Sequence, residues 1–362
     1  MKNKTGDFLS FKLMETESVW QFLQRADQPV VLYGMGDGAL KMMREFDRFK
    51  IKVHDIFASD EFVRGHSFCG YRVRRYSEIC EKYRNFIIVL AFAAFRPELL
   101  VRINAMAKEH TVLAPDVPVA GEGLFDLKYL ESHLSEIKEV YGLLADGLSR
   151  KTYLDVLNYK ISGKIGYLQN CAYDRSRVYP EIIRPQSEEV FVDLGAYNGD
   201  TIEEFISAAP DYEAVIAFEP DRKNYQKLLK KAEALGVPTG YLYNMGVYSR
   251  AGFLSFSSRG GRHSALSQIK TTKIPVDSVD NILGGRKATI LKMDVEGTES
   301  LAIEGAQNTI VKWKPKLMVG AYHRNEDLFA LPLQIHAMRS DYRFYLRHHP
   351  YIPAWETNYY AI

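Results

Sequence analysis

Cysteine is scarce in this chain. Cys69, Cys80 and Cys171 are the three in 362 residues, an odd number at spacings that match no zinc set or disulfide framework, so they read as reduced, cytosolic thiols. Long apolar runs are missing as well: the most apolar stretch, Phe86 to Phe95, is too short to span a bilayer. The first ten residues hold lysines without the apolar centre of a signal peptide. An excess of one charge is also lacking, because 47 Lys and Arg against 45 Asp and Glu leave a net +2. Without a basic block, nothing points to a nucleic-acid or anionic-membrane surface. These absences leave a cytoplasmic protein with small-molecule partners, no nucleic acid and no membrane; homo-oligomerisation stays open.

What is present is ordinary globular composition, 46% hydrophobic and 25% charged, at a length that suggests two domains. Residues 1–120 alternate short apolar runs with amphipathic stretches, the βαβ pattern of a parallel sheet covered by helices. Val30 to Tyr33, Lys52 to Phe57 and Phe86 to Phe92 read as strands. Asp37 to Phe49 reads as a helix on the spacing of Leu40, Met43 and Phe46, and Pro97 opens another running to Ala107. Residues 121–185 read as a helical linker, with Leu127, Leu130, Leu134, Ile137, Tyr141 and Leu144 at helical spacing. A loop from Gly163 to Pro185 follows, whose Tyr and Arg residues suit a cap over a site.

A second βαβ series fills residues 186–362. Its strands are predicted at Val190 to Leu194, Ala214 to Phe218, Gly240 to Tyr243, Thr289 to Met293 and Lys316 to Gly320, with a final pair at Arg343 to Arg347 and Thr357 to Ala361. Helices are predicted at Asp200 to Ala208, Asp221 to Leu235, Thr298 to Val311 and Glu326 to Met338. Gly246 to Pro275, with Phe253, Leu254 and Phe256 in alternation, reads as a β-insertion. The expected fold class is α/β: two Rossmann-like units, the second a seven-stranded doubly wound sheet, joined by the helical linker.

Each unit carries a glycine loop. In the first, Gly34-Met35-Gly36-Asp37-Gly38-Ala39 satisfies G-x-G-x-x-A at a strand-to-helix turn. Gly34, Gly36 and Asp37 would line a second nucleotide site at the positive end of the helix, with Asp55 accepting the ribose hydroxyls. The alternative is that the small residues serve a tight turn and close packing. Phe57-Ala58-Ser59-Asp60 and the stretch Gly65 to Val73 resemble the small Rossmann-like domains that precede sugar-modifying acyltransferases, which implies a nucleotide-sugar or carrier ligand. This loop also motivates a competing function, an NAD-dependent oxidoreductase, and a third, a non-catalytic nucleotide-binding module.

In the second unit, Asp193-Leu194-Gly195-Ala196-Tyr197-Asn198-Gly199-Asp200-Thr201 has fewer glycines and a carboxylate at the strand end. That suits a ligand without phosphates that carries a sulfonium and an amino group, which Asp193 would face directly or through water. Glu219 ends the next strand before Pro220 and is spaced to accept from both ribose hydroxyls; Asn244 stands where an adenine-contacting loop would be, or is a turn residue. Asp200 reads as an N-cap with Glu203 completing a capping box. These segments, with Asn244-Met245-Gly246-Val247-Tyr248 and Lys292-Met293-Asp294-Val295-Glu296-Gly297-Thr298-Glu299, in this order and spacing, resemble the FkbM family of S-adenosylmethionine-dependent methyltransferases. The resemblance implies S-adenosylmethionine as cofactor, held by Asp193, Gly195, Ala196, Tyr197, Asn198, Gly199, Thr201, Glu219, Pro220, Asn244 and Asp294. It also implies an O-methyltransferase acting on a hydroxyl of a sugar, nucleotide-sugar or similar secondary metabolite. Ala321 to Leu328 and Tyr345 to His349 look like family members found with polysaccharide biosynthesis.

Methyl transfer from a sulfonium is an in-line displacement, so orientation dominates and a base helps an alcohol acceptor. Asp294, His323 and Glu296 are the candidate catalytic residues, on the rim beyond the carboxyl ends of the strands. Asp294 is the first choice to bind or deprotonate the hydroxyl, His323 the alternative base and Glu296 an orienting partner. The same three would form an adequate donor set for a divalent cation, but their spacing demands none and no metal is assigned. His348 and His349 read as surface residues.

Overall fold

The computed structural model describes residues 11–257 and 271–362. The first ten residues, the tip of the β-insertion at 258–270 and the side chains of Phe256, Ser257, Thr271 and Thr272 lie outside the described residues.

The first unit is a six-stranded sheet of β1 (Val30–Tyr33), β2 (Val53–Phe57), β3 (Ser67–Phe68), β4 (Tyr71–Arg74), β5 (Ile87–Leu90) and β6 (Thr111–Leu113), in the order β3-β4-β2-β1-β5-β6. All its pairings are parallel except β3 with β4. β1 and β5 are buried along their whole length, as continuous Val/Ile/Leu runs require when helices cover both faces. The helix Asp37–Phe49 forms where expected but buries Ala39, Met42 and Phe46, turned one residue from the predicted stripe, with Leu40 at the surface.

The second unit contains β7 (Val190–Leu194), β8 (Ala214–Phe218), β9 (Leu242–Tyr243), β10 (Gly246–Val247), β11 (Gly252–Ser257), β12 (Thr271–Asp277), β13 (Ile290–Met293), β14 (Lys316–Gly320), β15 (Phe344–His348) and β16 (Thr357–Ala361). Seven of these form one sheet, β15-β16-β14-β13-β7-β8-β9, and β10-β12-β11 form the insertion. From β7 the chain runs outward through β8 and β9, then returns to β13 on the other side. The gap above β7 and β13 is therefore the topological switch point, where ligands of open α/β sheets bind. The predicted helix from Thr298 to Val311 is two helices, Glu299–Glu304 and Gln307–Trp313. Gly305 separates them, packed so closely on Tyr248 that a Cβ there would stand 2.1 Å from its carbonyl oxygen.

The connector packs as part of the fold. Its longest helix, Gly147–Ser162, lies on β15 with Tyr153, Val156, Leu157, Tyr159 and Ile161 buried. The Ser149 hydroxyl accepts a 3.0 Å hydrogen bond from Leu346 N–H. One core cluster runs from Tyr33 and Phe57 through Leu144 and Tyr153 to Val192, Leu317 and Tyr359. A bridge between Ala94 and Ile352, with N–H···O distances of 2.7 and 2.9 Å, also ties the first unit to the second. This burial corrects the reading of His348 and His349 as surface residues. His348 bonds Thr357 and the Tyr351 carbonyl, and His349 bonds the Tyr173 carbonyl and the Tyr360 hydroxyl. Burial pushes them down to about 3 and about 4 respectively, so both are neutral core groups.

Candidate functional site

Close packing accounts for two glycines of the first loop, Gly34 and Gly38, and not for Gly36, around which a Cβ would meet nothing within 4 Å. Gly34 has φ 124° and a Cβ on it would stand 2.8 Å from the Phe92 ring; on Gly38 it would stand 2.3 Å from the Ala91 carbonyl oxygen. Gly36 is the helix N-cap, and Asp37 begins the helix, where its charge suits the positive end. Asp55 corrects the sequence reading most clearly. It lies in the middle of β2 and accepts from Arg74 Nε at 2.9 Å, Lys82 Nζ at 2.7 Å and the Tyr83 hydroxyl at 2.7 Å. Burial opposes its charge, yet Lys82, Tyr83 and Arg74 hold the carboxyl below its usual range. Three protein donors already occupy this carboxylate, so Asp55 belongs to an ion-pair network and has at most one acceptor site left for the ribose of the NAD reading.

The second loop sits at the switch point. Gly195 has φ 85°, and a Cβ on it would lie 1.9 Å from the Asp294 carbonyl oxygen, so only glycine lets the loop cross the end of β13. Tyr197 (φ 47°) and Gly199 (φ 86°) continue the left-handed turn into the helix Asp200–Ala208, whose N-cap is Gly199 and not Asp200. Ala196 is buried beneath the loop, and the Asn198 side chain accepts from Asp200 N–H at 3.2 Å.

Asp193 is fully buried, and its carboxylate turns inward. It pairs with Lys292 Nζ at 3.0 Å and accepts from the Thr201 hydroxyl, so its own bonds fix the loop from below. Lys292 also donates to the Gly195 carbonyl at 3.2 Å. Sequence reasoning passes over Lys292, although a lysine inside the otherwise apolar Ile290-Leu291-Lys292-Met293 run is itself a signal, because a buried ammonium needs a partner.

Glu219 stands at the carboxyl end of β8, 6% exposed. Its two oxygens accept from Tyr197 N–H at 2.9 Å and Asp221 N–H at 2.8 Å. Burial, with Asp221 and Asp193 nearby, pushes it up to about 7 against the pull of those two N–H groups. Asp221 caps the helix Arg222–Ala234, as its position predicts. Asn244 Nδ2 donates to the Glu219 and Pro220 carbonyls at 2.8 and 3.2 Å, tying the ends of β8 and β9 together.

Asp294, Glu296 and His323 come together on the rim. His323 Nε2 lies 3.5 Å from Asp294 Oδ1 and 3.7 Å from Glu296 Oε2. The Tyr322 hydroxyl donates to Asp294 Oδ1 at 3.0 Å. Glu296 takes a positive φ of 56° and its side chain is 77% exposed, whereas that of His323 is 2% exposed. The residue sequence reasoning misses here is Glu299, fully buried, whose Oε1 accepts from Val295 N–H at 2.8 Å and stands 3.0 Å from His323 Nδ1, off the line of that N–H. Glu299 Oε2 has no hydrogen-bond donor among the described residues. Its signal is the E-x-x-E spacing at a helix start, which returns the second carboxylate toward the first turn. The two ring nitrogens of His323 face different carboxylates, and Asp294, Glu299 and His323 each offer one ligand atom within 4.8 Å of the others, a set that could hold a metal ion as well as pass a proton. Burial opposes protonation of His323, but Glu299, Asp294 and Glu296 outweigh it and raise the imidazole to about 9.

The first unit reaches this cluster. Ala120 N–H donates to the His323 carbonyl at 2.9 Å, and Arg324 Nε donates to the Gly297 carbonyl at 2.6 Å. On the other side, Arg175 and Tyr179 from the predicted capping loop line a cavity of about 30 Å3 together with Lys292, Asp294, Glu356 and Asn358.

Comparison with known proteins follows this geometry. Residues 193–352 match the family model for the methyltransferase FkbM domain. The crystal structure of methyltransferase FkbM from Methylobacillus flagellatus KT aligns with a TM-score of 0.70 at 22% identity, covering 92% of this chain and 90% of that one. The shared fold thus spans the first unit and connector as well as the second. Precorrin-6y C5,15-methyltransferase from Geobacter metallireducens GS-15 aligns at TM-score 0.33 and 10% identity, over 51% of this chain and 85% of that one. A SAM-dependent methyltransferase from Aquifex aeolicus aligns at 0.31 and 12%, over 63% and 96%. No curated protein is matched by the chain.

Proposed function

Residues 193–352 match the family model for the methyltransferase FkbM domain, and from that match we propose that the protein is an S-adenosylmethionine-dependent methyltransferase that methylates a hydroxyl of a sugar, nucleotide-sugar or similar secondary metabolite. The observation that carries the hydroxyl reading is the Glu299–His323–Asp294 arrangement, a buried imidazole backed by a buried carboxylate and facing a second carboxylate at the rim. An alcohol must lose its proton as it becomes a nucleophile, and this set supplies a place for it; an already anionic acceptor would need none.

When bound, S-adenosylmethionine supplies a methyl group on a positively charged sulfur. The residues fit such a molecule: Gly195 and Gly199, at φ 85° and 86°, leave the loop bare of side chains at two points, and the buried Glu219 carboxylate ends the adjacent strand. Gly195 to Gly199 would form its floor, Glu219 would take the ribose hydroxyls, and the rim from Pro220 to Asn244 would border the adenine. Asp193, Thr201 and Lys292 hold that floor in shape. In the chemical step Asp294 orients the acceptor hydroxyl, His323 Nε2 takes its proton, and Glu299 stabilises the imidazolium. Glu296, the exposed member of the group, orients the acceptor from the solvent side.

The test is methyl transfer from labelled S-adenosylmethionine to a panel of sugar and nucleotide-sugar acceptors. His323→Asn and Asp294→Asn are expected to lower kcat by about 100-fold or more, with S-adenosylhomocysteine affinity changed less than about threefold for His323→Asn. Methylation confined to amine or carboxylate acceptors would overturn the hydroxyl reading. Full activity of His323→Asn would remove the base.

A further inference from the structure

Resting on S-adenosylmethionine as the methyl donor, we propose that Arg175, flanked by Glu204 and Glu356, is the seat for the amino-acid end of that molecule, with the guanidinium taking its carboxylate and the glutamates its ammonium. Glu219 and Asn244 stand at the ends of β8 and β9, the glycine loop at the end of β7 and Asp294 just beyond β13. A ligand whose ribose meets Glu219 and whose reactive centre faces Asp294 directs its remaining end further along the same edge, toward β14 and β16. The cavity of about 30 Å3 lies there, lined by Asp294, Gly320, Asn358, Glu356, Glu204 and Arg175.

Charge narrows the ligand. Arg175 Nε lies 3.0 Å from Glu204 Oε2 and Nη1 lies 3.1 Å from Glu356 Oε2, so one cation stands between two anions. Those bonds use two of the three guanidinium nitrogens and leave Nη2 for a ligand carboxylate. Each glutamate has a second carboxylate oxygen, and the Glu356 carboxylate also takes a hydrogen bond from the Asn358 side chain. Glu356 is held at a positive φ of 62°, a backbone conformation that costs a non-glycine residue free energy and that the surrounding structure must enforce. Arg175 also lines a larger cleft of about 520 Å3 with Ser176, Tyr179, Asp200, Glu203 and Ser207, so it stands between the inner cavity and an open approach. A zwitterion needs both signs within a few ångströms; a phosphate or a simple cation would find one of them repulsive.

The experiment compares two ligands that share the adenosine end and differ at the other. Calorimetric titration of the full chain with S-adenosylhomocysteine and with 5′-methylthioadenosine, which lacks the amino-acid end, is done for wild type, Arg175→Ala and Arg175→Lys. Arg175→Ala is expected to weaken S-adenosylhomocysteine about 10- to 100-fold and 5′-methylthioadenosine less than about threefold, with Arg175→Lys between. Equal weakening of both ligands, or weakening of neither, overturns the proposal, and a thermal melt separates binding loss from unfolding. If Arg175→Ala does not fold, Arg175→Lys carries the same comparison. Wild type binding neither ligand would instead overturn the cofactor assignment itself.

Discussion

At the scale of single residues, the site is a collection of carboxylates in opposite electrostatic states. Asp55 and Asp193 are paired with cations and serve structure, while Glu219 and Asp327 are buried where negative charge is poorly compensated. Asp327 is raised to about 7 by burial and by Glu299 nearby, although Arg324 N–H donates to it at 2.8 Å. A carboxyl whose folded value exceeds its unfolded one stabilises the fold fully below the unfolded value, and that stabilisation is lost as pH rises through about 7. Asp327→Asn is therefore expected to be more stable than wild type at pH 8, by about 1–2 kcal/mol or more, with the gain shrinking as pH falls and vanishing only below about pH 4, the second pH of the comparison. Urea denaturation at the two pH values checks this, and an equal effect at both would refute it. His323 has the opposite functional meaning. Raised to about 9, it is protonated near neutrality and must be neutral to accept a proton. The methylation rate is expected to climb with pH toward 9, and a flat profile between pH 7 and 9 would remove His323 as the base.

At the scale of elements, short segments do the positioning, and sterics decide which. The turn from β7 into its helix crosses the end of β13 with no space for a side chain at Gly195. Gly195→Ala is expected to cost about 3 kcal/mol or more, since it adds both a clash and left-handed backbone strain. The loss is read as a lower midpoint of thermal unfolding together with lost S-adenosylhomocysteine binding; a variant that melts and binds like wild type would contradict the assigned geometry. The first loop looks alike in sequence, but its glycines clear Ala91 and Phe92 of the same unit. What lies across from the two loops differs, and no local pattern encodes that.

At the scale of the whole molecule, the connector decides cooperativity. Tyr153, Val156 and Leu157 of its long helix share a core cluster with Phe344, Leu346 and Tyr359 of the second sheet. A chain of residues 186–362 alone would expose that apolar face, and each such side chain contributes about 1.5–3 kcal/mol when buried. The truncated chain is expected to aggregate or unfold, and the full chain to melt in one calorimetric transition. A stable, ligand-binding fragment 186–362 would show that the connector is dispensable.

Much of this was legible from residue order alone. β1, β7, β8, β14 and β16, with the helices Asp37–Phe49 and Asp200–Ala208, stand at the residues their periodicity predicts, because a strand's two-residue and a helix's 3.6-residue repeat are written locally. The Gly195 loop, Glu219 and Asp294 were legible for a similar reason: each lies at a strand end, and in a parallel sheet strand ends share one edge. The tertiary structure alone decided that Asp55 is spent on Arg74, Lys82 and Tyr83, that Lys292 holds Asp193, that Glu299 backs His323, that His348 and His349 are core, and that Arg175 returns to the cavity beside Asp294. Each of these pairs groups on different elements, and the free energy of a buried charge depends on which partner the fold brings within a few ångströms of it, a quantity no spacing along the chain contains.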